Sequence, residues 1–201
     1  MVRDEIIKKA YQCIDEVYPD TTYQDISSFN VDAFLDQAAK IIINTAPLRV
    51  LRSADIRMSV TPVGYDNGVI RLLMPTNFQR LVSFKMEDWS HSITTFLDED
   101  SPRYHQQYNP VLRGTPSRPA AFITSGGQLL EVYTTNANTS SSNKGIAHFY
   151  AILFDTVDDT YPQKLHDVTA WKTAELVLSA LNDTQAAQIC QAHTQEILQS
   201  L

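Results

Sequence analysis

The sequence predicts an α+β fold in which helix pairs near the two ends of the chain form one bundle, with an antiparallel β section inserted between them. Three observations predict it. Apolar residues recur with a helical period near both ends, they alternate with the strand period in the middle, and prolines mark the changes of period. The predicted helical bundle comprises residues 1–47 and 162–201, and the predicted β domain comprises residues 48–161.

Two helices are predicted in the first part of the chain. The first covers residues 3–18, and its apolar residues lie three and four positions apart: Ile6, Ala10, Cys13 and Val17. The second begins at Asn30, a favoured N-cap residue, and ends before Pro47, which cannot continue a helix. Phe29 and Phe34 flank this start and form a candidate hydrophobic staple.

The β section begins with a predicted hairpin. Residues 66–68 are Asp-Asn-Gly and lie between two apolar runs, and Asn and Gly accept the positive φ angles of tight hairpin turns. Gly126 and Gly127 separate two further strand-like runs and predict a second hairpin. Residues 146–154 are apolar on both faces, which is typical of a covered central strand, and residues 136–145 form a polar loop.

Two more helices are predicted after Pro162, where the helical period returns. The stripe of the first consists of Val168, Trp171, Ala174, Leu178 and Leu181. The second is capped by Asp183 or Thr184, and one of its faces carries Ala186, Cys190, His193 and Ile197.

Charge is distributed unevenly along the chain. Residues 1–46 carry four basic and eight acidic side chains, residues 47–120 carry nine and seven, and residues 121–201 carry three and eight, for a net charge of −7. This acidic balance argues against a general nucleic-acid binder, whereas basic and acidic sections suit docking between copies of the chain. The sequence has no apolar run long enough for a membrane helix and no secretory signal pattern, so we expect no membrane partner and a protein made in a cytoplasm.

The sequence contains no recognisable catalytic or metal-binding motif, and we expect no cofactor, no metal and no enzyme activity. Cys13 and Cys190 lack a Cys-x-x-Cys partner and are interpreted as reduced core residues. The histidines lack zinc-helix spacing, and His148 and His193 are interpreted as packed, hydrogen-bonded residues. Acidic runs at 98–100 and 155–159 lack EF-hand spacing and are interpreted as solvated carboxylates; a metal-dependent enzyme built on Asp155, Asp158 and Asp159 is the competing hypothesis.

The connection over residues 98–119 has no clear period, and long connections in compact domains tend to be functional or mobile. Its surroundings combine arginine with aromatic residues, types enriched at protein interfaces: Trp89, Arg103, Tyr104, Tyr108, Arg113 and Arg118. Pro110, Pro116 and Pro119 limit the freedom of the segment. Aromatic residues interleaved with arginine also suit single-stranded nucleic acid. We predict that residues 101–119 contact another subunit or a neighbouring ring and are mobile until they dock. The alternative is a rigid crossing between strands whose aromatic residues pin the loop to the sheet.

The order of these elements resembles the head-to-tail adaptor (connector, or ring) proteins of tailed bacteriophages, of the short-tailed or crAss-like type. The resemblance rests on the strand NFQRLVSFKM, a tryptophan, a Tyr/Gln-rich link, GTPSRPAAFI, two strands and a closing helix pair. The run LHDVTAWKTAELVLSALND is similar to a helix of those proteins that has a small-residue-rich packing face.

The resemblance implies a structural role without catalysis. It implies a virion protein at the head–tail junction, made in the host cytoplasm, that assembles with itself into a ring, commonly dodecameric. The ring would lie below the portal protein, extend the DNA channel without binding DNA specifically, and dock a tail component or the next ring protein. The alternative function is a non-enzymatic, β-rich binding or accessory module of a virion tail.

Overall fold

The computed structural model of the chain describes residues 1–17, 30–66, 68–107, 109, 111–133 and 145–201. It confirms the predicted α+β class, with antiparallel sheets between N-terminal and C-terminal helices. The helices, in chain order, are α1 (Val2–Val17), α2 (Val31–Thr45), α3 (Pro102–Gln106), α4 (His166–Ala180) and α5 (Thr184–Ser200). The strands are β1 (Ala54–Asp55), β2 (Thr61–Asp66), β3 (Val69–Leu73), β4 (Phe78–Met86), β5 (Leu97–Asp98), β6 (Ala121–Thr124), β7 (Leu129–Tyr133) and β8 (Ile146–Leu153).

The chain folds into two compact units. The helical unit consists of Met1–Arg52 together with Phe154–Leu201, and the β unit consists of Ser53–Leu153. Within the described residues, no helix has the length and apolar character needed to cross a membrane.

Helix α4 is the core helix of the helical unit, because it packs against α1, α2 and α5. Its small residues allow close approach of the neighbouring helices, and its buried threonines find partners inside the unit. The Thr173 hydroxyl donates to the carbonyl of Thr169 at 2.7 Å, and the Thr169 hydroxyl pairs with the Tyr161 hydroxyl at 2.7 Å. Buried hydroxyls with partners avoid the cost of burying unpaired polar groups, so this face can be fully covered.

The two predicted N-caps differ in whether their side chains make a capping hydrogen bond. Asp183 caps α5, because its carboxylate accepts a hydrogen bond from the Ala186 amide at 3.0 Å. Asn30 occupies the N-cap position of α2 but makes no side-chain capping bond. The predicted staple residue Phe29 lies outside the described residues.

The β unit contains two sheets that share one apolar core. Strand orders are β1-β8-β4 and β2-β3-β7-β6-β5, and only the short β5–β6 pair is parallel among the described strands. The core combines residues of both sheets, and its centre is the pair Phe84 and Phe149, whose rings meet edge-to-face at 4.8 Å. Strand β8 lies between β1 and β4, which confirms the predicted central position.

Both predicted hairpins form. Strands β2 and β3 pair from Asp66 opposite Val69, with Gly68 at a φ of 81°, while Asn67 lies outside the described residues. Strands β6 and β7 are joined through Gly126 and Gly127, whose φ angles of 67° and 90° explain why glycine stands at both positions. Most of the predicted polar loop 136–145 lies outside the described residues.

Candidate interface on the β unit

The connection from β5 to β6 lies on the face of the five-stranded sheet that is opposite the shared core. Along β6, Ala121 and Ile123 belong to the shared core, whereas Phe122 belongs to a second cluster with Tyr133 and Tyr104. Successive residues of a strand point to opposite faces, so this second cluster marks the other side of the sheet. Helix α3 and the loop that follows it therefore cover the outer face at β6 and β7.

Tyr104 on α3 is the main anchor of this connection. Its ring lies 5.3 Å from the ring of Phe122 in an edge-to-face arrangement. Its hydroxyl donates to Oε2 of Glu131 at 3.2 Å, and Oε1 of the same carboxylate accepts from Nε of Arg71 at 2.9 Å. The sequence analysis did not identify Glu131, which is only 8% exposed, because a single acidic residue in an apolar strand gives no indication of its partners.

A buried glutamine closes the next turn of the connection. The side-chain amide of Gln107 donates to the carbonyl of Arg103 at 2.8 Å, and its oxygen accepts from the amide of Gly114 at 2.6 Å. At Gly114 the backbone passes so near the sheet that an added Cβ would lie 2.9 Å from Cβ of Ala120 and 3.0 Å from Cβ of Tyr133. Glycine is required here by close approach of the backbone to the sheet.

The farthest part of the loop presents an apolar pair to solvent. Asn109 sets its conformation, because its side-chain oxygen accepts from the Val111 amide at 2.9 Å and its carbonyl accepts from the Leu112 amide at 3.0 Å. Val111 is 75% exposed and Leu112 is 49% exposed. We call this pair the loop tip.

Two arginines lie beside the loop tip. The guanidinium of Arg118 donates to the Val111 carbonyl at 3.0 Å, and the Arg118 amide and carbonyl pair with Thr115. Arg103 and Arg118 are exposed, and Arg113, next to Leu112, is half-buried. The loop tip is therefore an exposed apolar pair with two of the predicted arginines, Arg113 and Arg118, beside it.

The remaining predicted interface residues have other places. Trp89 is 2% exposed; its indole nitrogen donates to the Tyr133 carbonyl at 2.8 Å and its ring meets Phe84 edge-to-face at 5.4 Å. Trp89 is thus a core residue of the β unit and offers no surface to a partner. Burial of its large apolar ring stabilises the core. Tyr108 lies outside the described residues.

The mobility of this segment before it docks stays a prediction. Tyr104 bonds to the sheet through Glu131, whereas Gln107 and Asn109 bond within the connection. The Ser90 amide also donates to the Pro116 carbonyl at 2.9 Å. The sequence argument counted apolar residues and missed these polar contacts. Tyr104 and Trp89 pack as the alternative predicted, in which aromatic residues attach the connection to the β unit. Arg103, Arg118 and the loop tip lie at the surface.

Two histidines and an aspartate that the sequence analysis considered make contacts with neighbouring residues of the fold. Nε2 of His148 lies 2.8 Å from the Ser83 hydroxyl, and the His193 ring stacks on Trp171 at 4.4 Å. Hydrogen bonds from the hydroxyl and amide of Thr160 lower the pKa of Asp158. In the part of the chain that the structure describes, no group of His, Cys, Asp and Glu is arranged to hold a metal ion.

Both cysteines are buried and free, as the sequence analysis predicted. Burial is the main cause that raises the pKa of Cys13, and likewise that of Cys190, to about 12. Both side chains are therefore protonated thiols at neutral pH.

No known protein-family profile matches the chain, and no curated protein matches its sequence significantly.

Proposed function

We propose that the protein is a structural subunit of a bacteriophage head-to-tail connector ring. In this role, copies of the chain form a homo-oligomeric ring, a dodecamer by analogy with the adaptors that the sequence resembles. The ring lies below the portal protein, extends the DNA channel and presents a docking surface to a tail component or the next ring protein. Its place is the head–tail junction of the virion, and the reaction chemistry of an enzyme has no part in it.

The observation that carries the proposal is the loop tip. The exposed apolar pair lies beside Arg113 and Arg118. The nearby residues Asn109, Gln107 and Tyr104 are hydrogen-bonded within the β unit. A pre-organised apolar patch loses little conformational entropy when it is covered, which favours a stable protein–protein contact. Carbohydrate or small-molecule recognition instead calls for a concave site with convergent polar groups.

The distribution of charge supports assembly from unlike surfaces. The helical unit carries eight basic and fifteen acidic side chains, whereas the β unit carries eight of each. The whole net charge of −7 therefore belongs to the helical unit. A closed ring is built from heterologous contacts, in which one surface of a subunit meets a different surface of its neighbour, and opposite charge favours that pairing.

The same charge supports passage of DNA without specific binding. An acidic surface repels phosphates, and affinity for duplex DNA rises mainly with the number of phosphates neutralised by Lys and Arg. The eight arginines of residues 47–120 are the only concentrated source of such charge in the sequence, and the proposal assigns those around the loop tip to protein contacts.

The test of the proposal is the composition and assembly of phage particles. Mass spectrometry of purified particles is expected to find the chain at the copy number of the portal protein. Particles from a strain that lacks the gene are expected to contain filled heads without attached tails, because the junction cannot be completed. Absence of the chain from purified particles would overturn the proposal. Tails that attach normally without the gene, with the chain present in isolated tails, would favour an accessory tail module instead.

A further inference from the structure

The helical unit has a groove between α1 and α4. Its floor is formed by Cys13, Ala170 and Trp171, and its rim includes Glu16 and Asp167. The groove encloses about 220 Å³. Pockets for drug-sized ligands usually enclose about 300–1,000 Å³, so this groove suits one or two partner side chains better than a small molecule.

The rim of the groove is acidic. Its one lysine, Lys9, pairs with Asp167 at 2.7 Å and lies 3.6 Å from Glu5, so the lining keeps a net negative charge through Glu16. Glu16 is exposed on the same helix, and the helical unit as a whole carries the net negative charge. The groove therefore favours a partner that is cationic around an apolar centre.

Trp171 gives the groove its apolar surface. It is half-buried, and its ring is stacked on His193 at 4.4 Å with an angle of 26° between the ring planes. This stacking fixes the orientation of the indole. A tryptophan with a fixed ring and a remaining exposed area is a typical binding hot spot, because covering it removes a large apolar area without further loss of side-chain freedom.

We propose that the loop tip of a second copy of the chain occupies this groove. Val111 or Leu112 packs against Cys13, Ala170 and Trp171, while Arg113 and Arg118 approach the carboxylates of the rim. The choice of a second copy of the chain as the occupant of the groove rests on the proposed function. A ring requires a repeated contact between unlike surfaces of identical subunits. Beyond the proposed function, it identifies the two surfaces in contact as the loop tip of one copy and the groove of the next.

The contact is heterologous, so two complementary variants test it. A tip variant, Leu112→Asp, places a negative charge where the groove is acidic. A groove variant, Gln12→Trp with Glu16→Arg, fills the groove and reverses a rim charge at two exposed positions, so the helix core is untouched. Val63→Asp, at a position 61% exposed on β2, is the matched control for the tip. Asp155→Arg, at an exposed position of the helical unit that does not line the groove, is the charge control for the groove.

Sedimentation velocity at low ionic strength measures the result. The wild-type chain and both controls are expected to self-associate as concentration rises, and each test variant is expected to need about tenfold more protein, equivalent to about 1.4 kcal/mol. A mixture of the tip variant and the groove variant is expected to form dimers and nothing larger, because only one competent pair of surfaces remains in it. Equal behaviour of test and control variants, or no dimer in the mixture, would overturn the inference.

A photo-crosslinking residue at position 112 locates the contact directly. The expected product joins position 112 of one copy to a peptide of α1 or α4 of another. Crosslinks between copies that map elsewhere, or no crosslink between copies at high concentration, would contradict the inference. If the chain is found at the junction of phage particles but these tests fail, the inference fails and the proposed function stands. If these tests succeed but the chain is absent from particles, the proposed function fails and the contact stands.

Discussion

The two units of this chain are stabilised in different ways. The helical unit buries small residues and hydroxyls around α4, where Ala170, Thr173 and Ala174 are fully covered. The β unit buries aromatic rings, with Phe84 and Phe149 at the centre of its core. The helical unit also carries all of the net charge, while the β unit is neutral.

This difference shows how one chain can combine a packing body with a contact surface. Small residues let helices approach closely, and an acidic exterior remains available to a cationic partner. A rigid aromatic core supports a long connection on the opposite side of its sheet, where Tyr104 and Glu131 fix the loop and leave Val111 exposed. Substitutions are therefore expected to have their largest effects in the aromatic core and smaller effects at helix ends.

The largest effect is expected at the centre of the β unit. Phe84 is fully buried and meets Trp89 and Phe149 edge-to-face, so Phe84→Ala is expected to lower the free energy of unfolding by about 3–5 kcal/mol. Urea denaturation followed by fluorescence measures it. Tyr65→Ala, at a position 43% exposed on β2, is the control and is expected to cost much less. Equal losses would contradict the assignment of the aromatic cluster as the core.

The second prediction concerns how closely the loop lies on the sheet. Gly114→Ala places a methyl group against Ala120 and Tyr133 and is expected to cost about 1–3 kcal/mol by overpacking. Gly64→Ala is the matched control, because a Cβ at Gly64 has no atom within 4 Å, and it is expected to change the free energy of unfolding by no more than about 0.5 kcal/mol. If thermal denaturation shows the same stability for both variants, the loop does not lie as close to the sheet as described.

The third prediction tests the groove residue of the helical unit. Trp171 is half-buried, so Trp171→Ala is expected to cost about 2 kcal/mol, below the loss of about 3–5 kcal/mol for a fully buried aromatic residue. Urea denaturation measures the value. A loss of full core size would mean that Trp171 has no free surface for a partner. His193→Ala removes only the stacked ring and is expected to cost less than Trp171→Ala.

The smallest effect is expected at the helix ends. Asp183→Ala removes the capping bond to the Ala186 amide and is expected to cost about 1 kcal/mol. Asn30→Ala changes the same kind of position in α2, where no side-chain capping bond is made, and is expected to cost less. Thermal denaturation of the two variants compares them, and a larger loss for Asn30→Ala would contradict the cap geometry.

The fold class was predictable from the sequence because its patterns are local. Helical spacing identified the terminal helices, and the turn residues at 66–68 and 126–127 identified both hairpins from their φ requirements. Asp183 was one of two candidate caps with Thr184, and the structure shows that Asp183 makes the capping bond. The paired partners of each strand were not predictable, because register depends on contacts between distant residues.

The candidate interface was predictable only in part. Its arginines follow from composition, but the burial of Trp89 and the polar contacts of Glu131 depend on residues far away in the sequence. The apolar pair Val111 and Leu112 lies within a polar segment, and no local pattern distinguishes a surface position for it from a core position. The groove joins two helices that are distant in the chain and has no local pattern.

The most direct test of the central claim is a localised cryo-EM reconstruction of the head–tail junction of the phage particle. We expect a ring of subunits directly below the portal, into which copies of this helical unit and of this β unit fit. Density below the portal that is wholly explained by other proteins, with this chain absent from the junction, would contradict it.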